Sequence, residues 1–155
     1  MSHFIGTFEC KADDKSRIMI PVSLKKQISN IITESFVIKR AVFNSCLELY
    51  PMSEWTLLME KVNALNRFNK KNNDFIRRFT AGVKIVNIDS SGRLLIPRDL
   101  ILHAEIKKEV VVSSAVNILE VWDKDLYEES INAATVDFGS LAEDVMSDNN
   151  NKDVS

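Results

Sequence analysis

Glycine is scarce in this chain, four residues in 155, and the four are scattered. No glycine-rich loop is therefore available to cradle a phosphate, and neither G-x-x-x-x-G-K-[ST] nor G-x-G-x-x-G occurs. Cysteine is scarcer still: Cys10 and Cys46 stand far apart, without a C-x-x-C, and read as buried thiols in a reducing cytoplasm. The two histidines, His3 and His103, are isolated from other ligand-type side chains at helical spacing, so no metal site is expected. Ser113, Ser114 and Cys46 have no base beside them, and the pair Asp13-Asp14 has no companion acid motif. The expectation is a chain that is not an enzyme, with no cofactor and no small-molecule substrate. No apolar run approaches the roughly 18 residues of a bilayer span. The opening MSHFIGTFEC has no basic region followed by an apolar stretch, so neither a membrane partner nor a secretory signal is expected.

What the chain does have is an ordinary apolar fraction of 45%, enough for a core without staples. Its charge is divided unevenly. Residues 1–100 hold sixteen Lys and Arg against ten Asp and Glu, a balance of +6; residues 101–155 hold four against twelve, a balance of −8. Such a split permits an anion-binding surface on an acidic protein.

The chain also repeats itself. DDKSRIMIP at 13–21 returns as DSSGRLLIP at 89–97, an offset of 76. Each loop follows an alternating strand, TFECKA or GVKIVNI, and leads through an apolar run to a proline and a short helical pattern in which Leu24 matches Leu100. Proline suits a first helical turn, where its missing N–H costs nothing. Next, SFVIKRAVF matches EVVVSSAV, and CLELYPMSEW matches ILEVWDKDLY; Glu48 then corresponds to Glu120, Tyr50 to Trp122 and Trp55 to Tyr127. The offset has fallen to 72, which places a four-residue deletion near SNIITES. The alternation of LELY and LEVW predicts half-buried strands with both glutamates on the wet face.

Each copy thus reads strand, loop, strand, short helix, strand, strand, longer helix. Ser53 is the expected cap of the first long helix, whose Trp55, Leu58, Val62 and Leu65 share one face. Asn73 or Asp74 is expected to cap a second helix carrying Phe75, Ile76 and Phe79; Asp123 is expected to open the last. The basic stretches KRAVF and RFNKK read as solvated faces. The fold class predicted is α+β, an internal duplication of a βαβ-like unit packed about a pseudo-twofold axis with peripheral helices. The first copy spans 1–80 and the second 81–144; 145–155 is a tail with little to bury and no expected structure.

The repeated Asp-x-x-x-Arg loop has two readings. Asp13 and Asp89 open turns in which a carboxylate accepts backbone N–H groups two residues on, and Gly92 takes positive φ without strain. In one reading Arg17 and Arg93 merely close those turns. In the other they present planar donor forks to phosphate or to a guanine edge. Lys11, Lys15 and Arg17 cluster in the first loop, which makes it the stronger candidate.

Both loops in order, with LELYP and then LEVWD behind them, resemble the MraZ family of bacterial transcription regulators over nearly the whole chain, from Phe4 to about Asp144. The resemblance implies two AbrB-like swapped-hairpin units, a double-psi barrel, in one chain. It implies a ring-shaped homo-oligomer, nucleoid-associated, that binds direct repeats of double-stranded DNA in its own promoter as a repressor of the division and cell-wall gene cluster. It also implies DNA-facing arginines at Arg17 and Arg93, with Lys15 beside the first. Two positions depart from the family's pattern: Ser16 stands where glycine is usual, and Ser91 replaces the counterpart of Lys15. AbrB-like units also serve as antitoxins and assembly modules, so a protein-interaction role without specific DNA binding is the alternative; steep salt dependence of DNA binding separates the two.

Overall fold

The structure, a computed structural model, describes residues 3–29, 34–133 and 137–154, with side chains through residue 147. The first copy runs β1 (Thr7–Lys11), β2 (Arg17–Met19), α1 (Val22–Gln27), β3 (Phe36–Arg40), β4 (Leu47–Pro51), α2 (Met52–Asn63) and α3 (Lys70–Phe79). The second runs β5 (Lys84–Val86), β6 (Arg93–Leu95), α4 (Arg98–His103), β7 (Glu109–Ala115), β8 (Ile118–Asp123), α5 (Lys124–Asn132) and α6 (Phe138–Val154). The element order read from the repeat is therefore present twice.

Six strands form one sheet in the order β1-β7-β8-β4-β3-β5, and β2 pairs with β6 as a separate ribbon. The copies exchange their first strands. β1 pairs with β7 of the other copy, Cys10 opposite Val110, and β5 pairs with β3, Val86 opposite Phe36. The copies meet again where Glu48 faces Glu120 between β4 and β8, and where Ile18 faces Leu94 in the ribbon. These pairings place a pseudo-twofold axis through the middle of both sheets, and they are the swapped hairpins of an α+β duplication. Every ladder among the described residues is antiparallel. The strand–helix–strand order of each copy carries the chain from the ribbon, through α1 or α4, into the large sheet.

The main core lies between these layers. The ribbon turns Ile18, Ile20, Leu94 and Ile96 inward, and α1 and α4 add Leu24 and Leu100, both 0% exposed. Burying each such side chain contributes about 1.5–3 kcal/mol. Neither half has a complete core of its own, because each ribbon strand and each first strand lies against the other copy.

The opposite sheet face is covered by α2, against β4 and β3, and by α5, against β7 and β8. The glutamates expected to be wet are half-buried there, because aromatic neighbours close over them. The Tyr50 hydroxyl donates to Glu48 Oε1 at 3.1 Å, and Trp122 Nε1 donates to Glu120 Oε1 at 3.0 Å. Tyr50 meets Trp55 edge-on at 5.3 Å and Trp122 meets Tyr127 at 5.9 Å, so the copies keep the pair with its members exchanged.

Helix starts differ in part from expectation. Pro21 and Pro97 cap α1 and α4 from just outside the first turn. Pro51, with φ −57°, likewise turns β4 directly into α2, so Ser53 lies inside the helix and caps nothing. α3 begins earlier than Asn73 or Asp74: Asn69 accepts from Lys71 N at 2.9 Å and Asn72 N at 3.4 Å. Asp123 does cap α5, accepting from Leu126 N at 3.4 Å.

The fall in offset also divides. Phe36 corresponds to Val110, an offset of 74, by their equal places opposite Pro51 and Asp123. Two of the four residues are therefore lost in the β-hairpin turn, where residues 42–45 of the first copy answer to 116–117 of the second. The other two are lost between the short helix and the following strand, a segment whose residues 30–33 lie outside the described ones. At the other end, the segment expected to be an unstructured tail from 145 is helical in its main chain as far as Val154. An apolar repeat at Phe138, Leu141 and Val145 and a carboxylate at Asp137, accepting from Ser140 N at 3.3 Å, start that helix.

Candidate functional site

The two Asp-x-x-x-Arg loops are the same structure. In the first, Asp13 Oδ1 accepts Lys15 N and Arg17 N, each at 2.9 Å, and Asp13 Oδ2 accepts Arg17 Nε at 2.8 Å. In the second, Asp89 Oδ1 accepts Ser91 N and Arg93 N at 2.9 Å, and Oδ2 accepts Arg93 Nε at 3.2 Å. The main chain closes each loop in the same way, Asp13 N to Arg17 O and Asp89 N to Arg93 O, both at 2.9 Å. Three N–H donors thus converge on each carboxylate. The Arg17 backbone N–H, then its side chain and the Lys15 N–H, hold Asp13 below the usual carboxylate range. Asp89 is lowered by the Arg93 backbone N–H first, then by Ser91 N–H and the Arg93 side chain.

The fourth loop residue turns the chain with positive φ, 63° at Ser16 and 81° at Gly92. Only glycine takes that conformation freely, and serine at that place costs roughly 1–2 kcal/mol. The first loop nevertheless has the geometry of the second. Its neighbours hold it there: Ser16 O accepts Ile96 N and Gly92 O accepts Ile20 N, both at 2.9 Å, across the ribbon.

The pseudo-twofold then sets the loops back to back. Arg17 lies opposite Leu95 and Met19 opposite Arg93, so both arginines share the outer face of the β2–β6 ribbon. Between them Met19 and Leu95 are 52% and 56% exposed, large apolar side chains left in solvent. The arginine side chains are 28% and 34% exposed. Among the described residues each guanidinium is bonded to protein only through Nε, which leaves the terminal nitrogens for a ligand.

Lys15 is exposed at the tip of the first loop. Lys11 is exposed at the end of β1, one residue outside the bridge between Ala12 and Ile18, and no hydrogen bond ties it to the loop among the described residues. The second loop has Ser91 in place of Lys15, but a different cation reaches it. The end of the Lys25 side chain, from α1 of the first copy, occupies the space a Cβ on Gly92 would fill. Nothing in the local sequence marks Lys25; only the strand exchange brings α1 beside the second loop.

Burial pushes the Cys10 thiol up to about 11 and, with Glu120 and Glu48 nearby, Cys46 up to about 12, the reverse of an activated nucleophile. No group of three His, Cys, Asp or Glu among the described residues is placed to hold a metal ion. No helix among the described residues is long and apolar enough to cross a membrane.

A family model described as "MraZ protein, putative antitoxin-like" matches the chain twice, over residues 3–78 and 79–147. Relatives named "Transcriptional regulator MraZ" are similar over nearly the full length. The one from Christiangramia forsetii is 61% identical, covering 94% of each chain. The one from Flavobacterium psychrophilum is also 61% identical, covering 94% of this chain and 93% of its own. The one from Bacteroides thetaiotaomicron is 32% identical, covering 99% and 98%. The two family matches and the two superposable loops describe one duplication, and the chain belongs to the MraZ family.

Proposed function

We propose that this protein is a sequence-specific DNA-binding transcription regulator that reads DNA with the outer face of the β2–β6 ribbon. The supporting observation is the pair of arginines brought to one exposed face, each steadied at Nε by an aspartate and open at its terminal nitrogens. A two-stranded ribbon fits the major groove, and arginine forks match guanine edges or phosphates. Exposed Met19 and Leu95 supply the apolar contact between the forks. Lys15 and Lys25 flank the loops as phosphate contacts, and Lys11 lies further out. Asp13, Asp89 and the positive-φ residues hold the loops in shape.

One ribbon makes few contacts. Several ribbons in a ring-shaped homo-oligomer engage direct repeats together, and matched spacing multiplies the affinity. On this reading the protein acts in the cytoplasm on the nucleoid, as a repressor at the promoter of the division and cell-wall cluster that carries its own gene. The Arg17 loop, which also carries Lys15, contributes more than the Arg93 loop. Footprinting on the DNA upstream of its own gene tests this: protected repeats at regular spacing are expected, and no protection at any salt concentration overturns it.

The same Asp–Arg bonds favour a second reading, in which the arginines serve only to close the turns of an assembly module. The substitutions at the end of the Discussion separate the two.

A further inference from the structure

The sheet end beside α3 carries a cleft that the DNA-facing ribbon does not use. It has a volume of about 720 Å³ and is lined by Lys39, Arg40, Lys71, Phe75, Arg78 and Phe79 among others. Phe75 and Phe79 stack at 5.2 Å, and Phe75 is exposed; α3 has no buried residue. Lys39 is already engaged by Glu48 at 3.3 Å, by the Arg40 carbonyl and by the face of Phe79. The one acid on the lining, Asp74, is engaged by Lys70 at 3.2 Å and Arg77 at 3.0 Å. Arg40, Lys71 and Arg78 have no ion pair among the described residues, and Arg40 Nε is buried without a hydrogen-bond partner. A buried charged donor without an acceptor is costly and calls for a partner.

A second feature of the chain is equally unpartnered. On α6, Phe138, Leu141 and Val145 are exposed. At 100° per residue they form one stripe. Asp137 and Asp144 fall together on one flank of it and have no ion pair among the described residues, while Glu143 lies on the opposite face of the helix. The two features are counterparts in the duplication: α3 follows α2 as α6 follows α5. Their charges are opposite. Lys39 and Arg40 occupy the strand positions that Ser113 and Ser114 occupy in the other copy, so the basic cleft belongs to the first copy alone.

We propose that the occupant of this cleft is the acidic helix α6 of a second copy, its apolar stripe on Phe75 and Phe79 and its acids against Arg40, Lys71 and Arg78. The inference rests on the ring reading above and names its seam. Such a contact is heterologous, one surface meeting a different one, and heterologous contacts with a closing rotation make rings.

The test is a charge exchange in the full chain, read by light scattering after gel filtration in physiological salt. Lys71→Glu with Arg78→Glu sets acid against acid, and Asp144→Lys sets base against base. Either change is expected to raise the concentration at which the assembly half-dissociates at least about tenfold, since like charges face each other. The three substitutions together restore assembly. All three sites carry exposed polar side chains, so melting temperatures stay close to wild type. A wild-type chain that is monomeric overturns the ring reading itself. An oligomeric wild type whose mass survives either change, or is not recovered by the three together, overturns the seam alone. Unchanged mass with loss of DNA affinity in Lys71→Glu/Arg78→Glu overturns it too, and makes the cleft a phosphate-binding surface.

Discussion

Ser16 offers a substitution whose sign follows from one backbone angle. Its φ of 63° lies in the left-handed region, where the second loop has Gly92 at 81°. That conformation costs a non-glycine residue roughly 1–2 kcal/mol, and glycine gives back about 0.4–1 kcal/mol through the greater freedom of the unfolded chain. Ser16→Gly is therefore expected to stabilise by about 0.5–1 kcal/mol, or about 1–4 °C in melting temperature for a chain of this size. Gly92→Ser is the mirror experiment. A Cβ there meets only the far end of Lys25, which can swing aside, so the backbone term dominates and the protein loses about what Ser16→Gly gains. Paired thermal melts by circular dichroism, with calorimetry to check two-state behaviour, measure both. A lowered melting temperature for Ser16→Gly, or no change for Gly92→Ser, refutes the claim that the two loops share one strained geometry.

Three further outcomes follow from the same structure. Leu24→Ala and Leu100→Ala each open a cavity at a fully buried, pseudo-equivalent site, and each should cost about 2–5 kcal/mol in urea unfolding; a large cost at only one site would contradict the shared core. Asp13 and Asp89 have folded pKa values lowered below the ordinary carboxylate value. Their stabilising contribution is thus fully present above the unfolded value of about 4 and is lost as pH falls below it. The melting gap between wild type and Asp13→Asn/Asp89→Asn should be constant from neutral pH down to that point and then close, whereas a gap that widens in acid reverses the sign. Lys15→Ala should weaken specific and random DNA alike and make the salt slope of binding shallower by about one unit, and an unchanged slope places Lys15 away from phosphate.

What the sequence showed most plainly was whatever the duplication copied locally. The Asp-to-Arg spacing, the prolines before α1 and α4 and the LELY/LEVW alternation each depend on a few neighbouring residues, and each folds as that spacing dictates. The arginines, their aspartates and Gly92 were legible for the same reason. The exchange of β1 and β5 between copies was not, because Cys10 meets Val110 a hundred residues away. Lys25 beside Gly92 and the half-burial of Glu48 and Glu120 follow from that exchange and from the packing of α2 and α5, so they were hidden as well. The misplaced helix starts have a simpler cause. Pro51 turns the chain before Ser53 can cap, and Asn69 captures the first N–H groups of α3 ahead of Asn73. The basic residues of KRAVF and α3 read as a solvated face because only the folded chain sets them around a cleft.

The most direct test of the central claim measures promoter binding and melting together on purified wild type, Arg17→Ala and Arg93→Ala. Fluorescence anisotropy with DNA from upstream of the protein's own gene gives binding, and a thermal melt of the same samples gives fold. In Arg17→Ala the two backbone bonds to Asp13 Oδ1 remain, so the loop keeps its shape. The account predicts that Arg17→Ala loses specific binding while melting and oligomer mass stay near wild type, with a smaller loss for Arg93→Ala. Wild-type affinity in both variants, with early melting, would contradict it and make the repeated loop scaffolding.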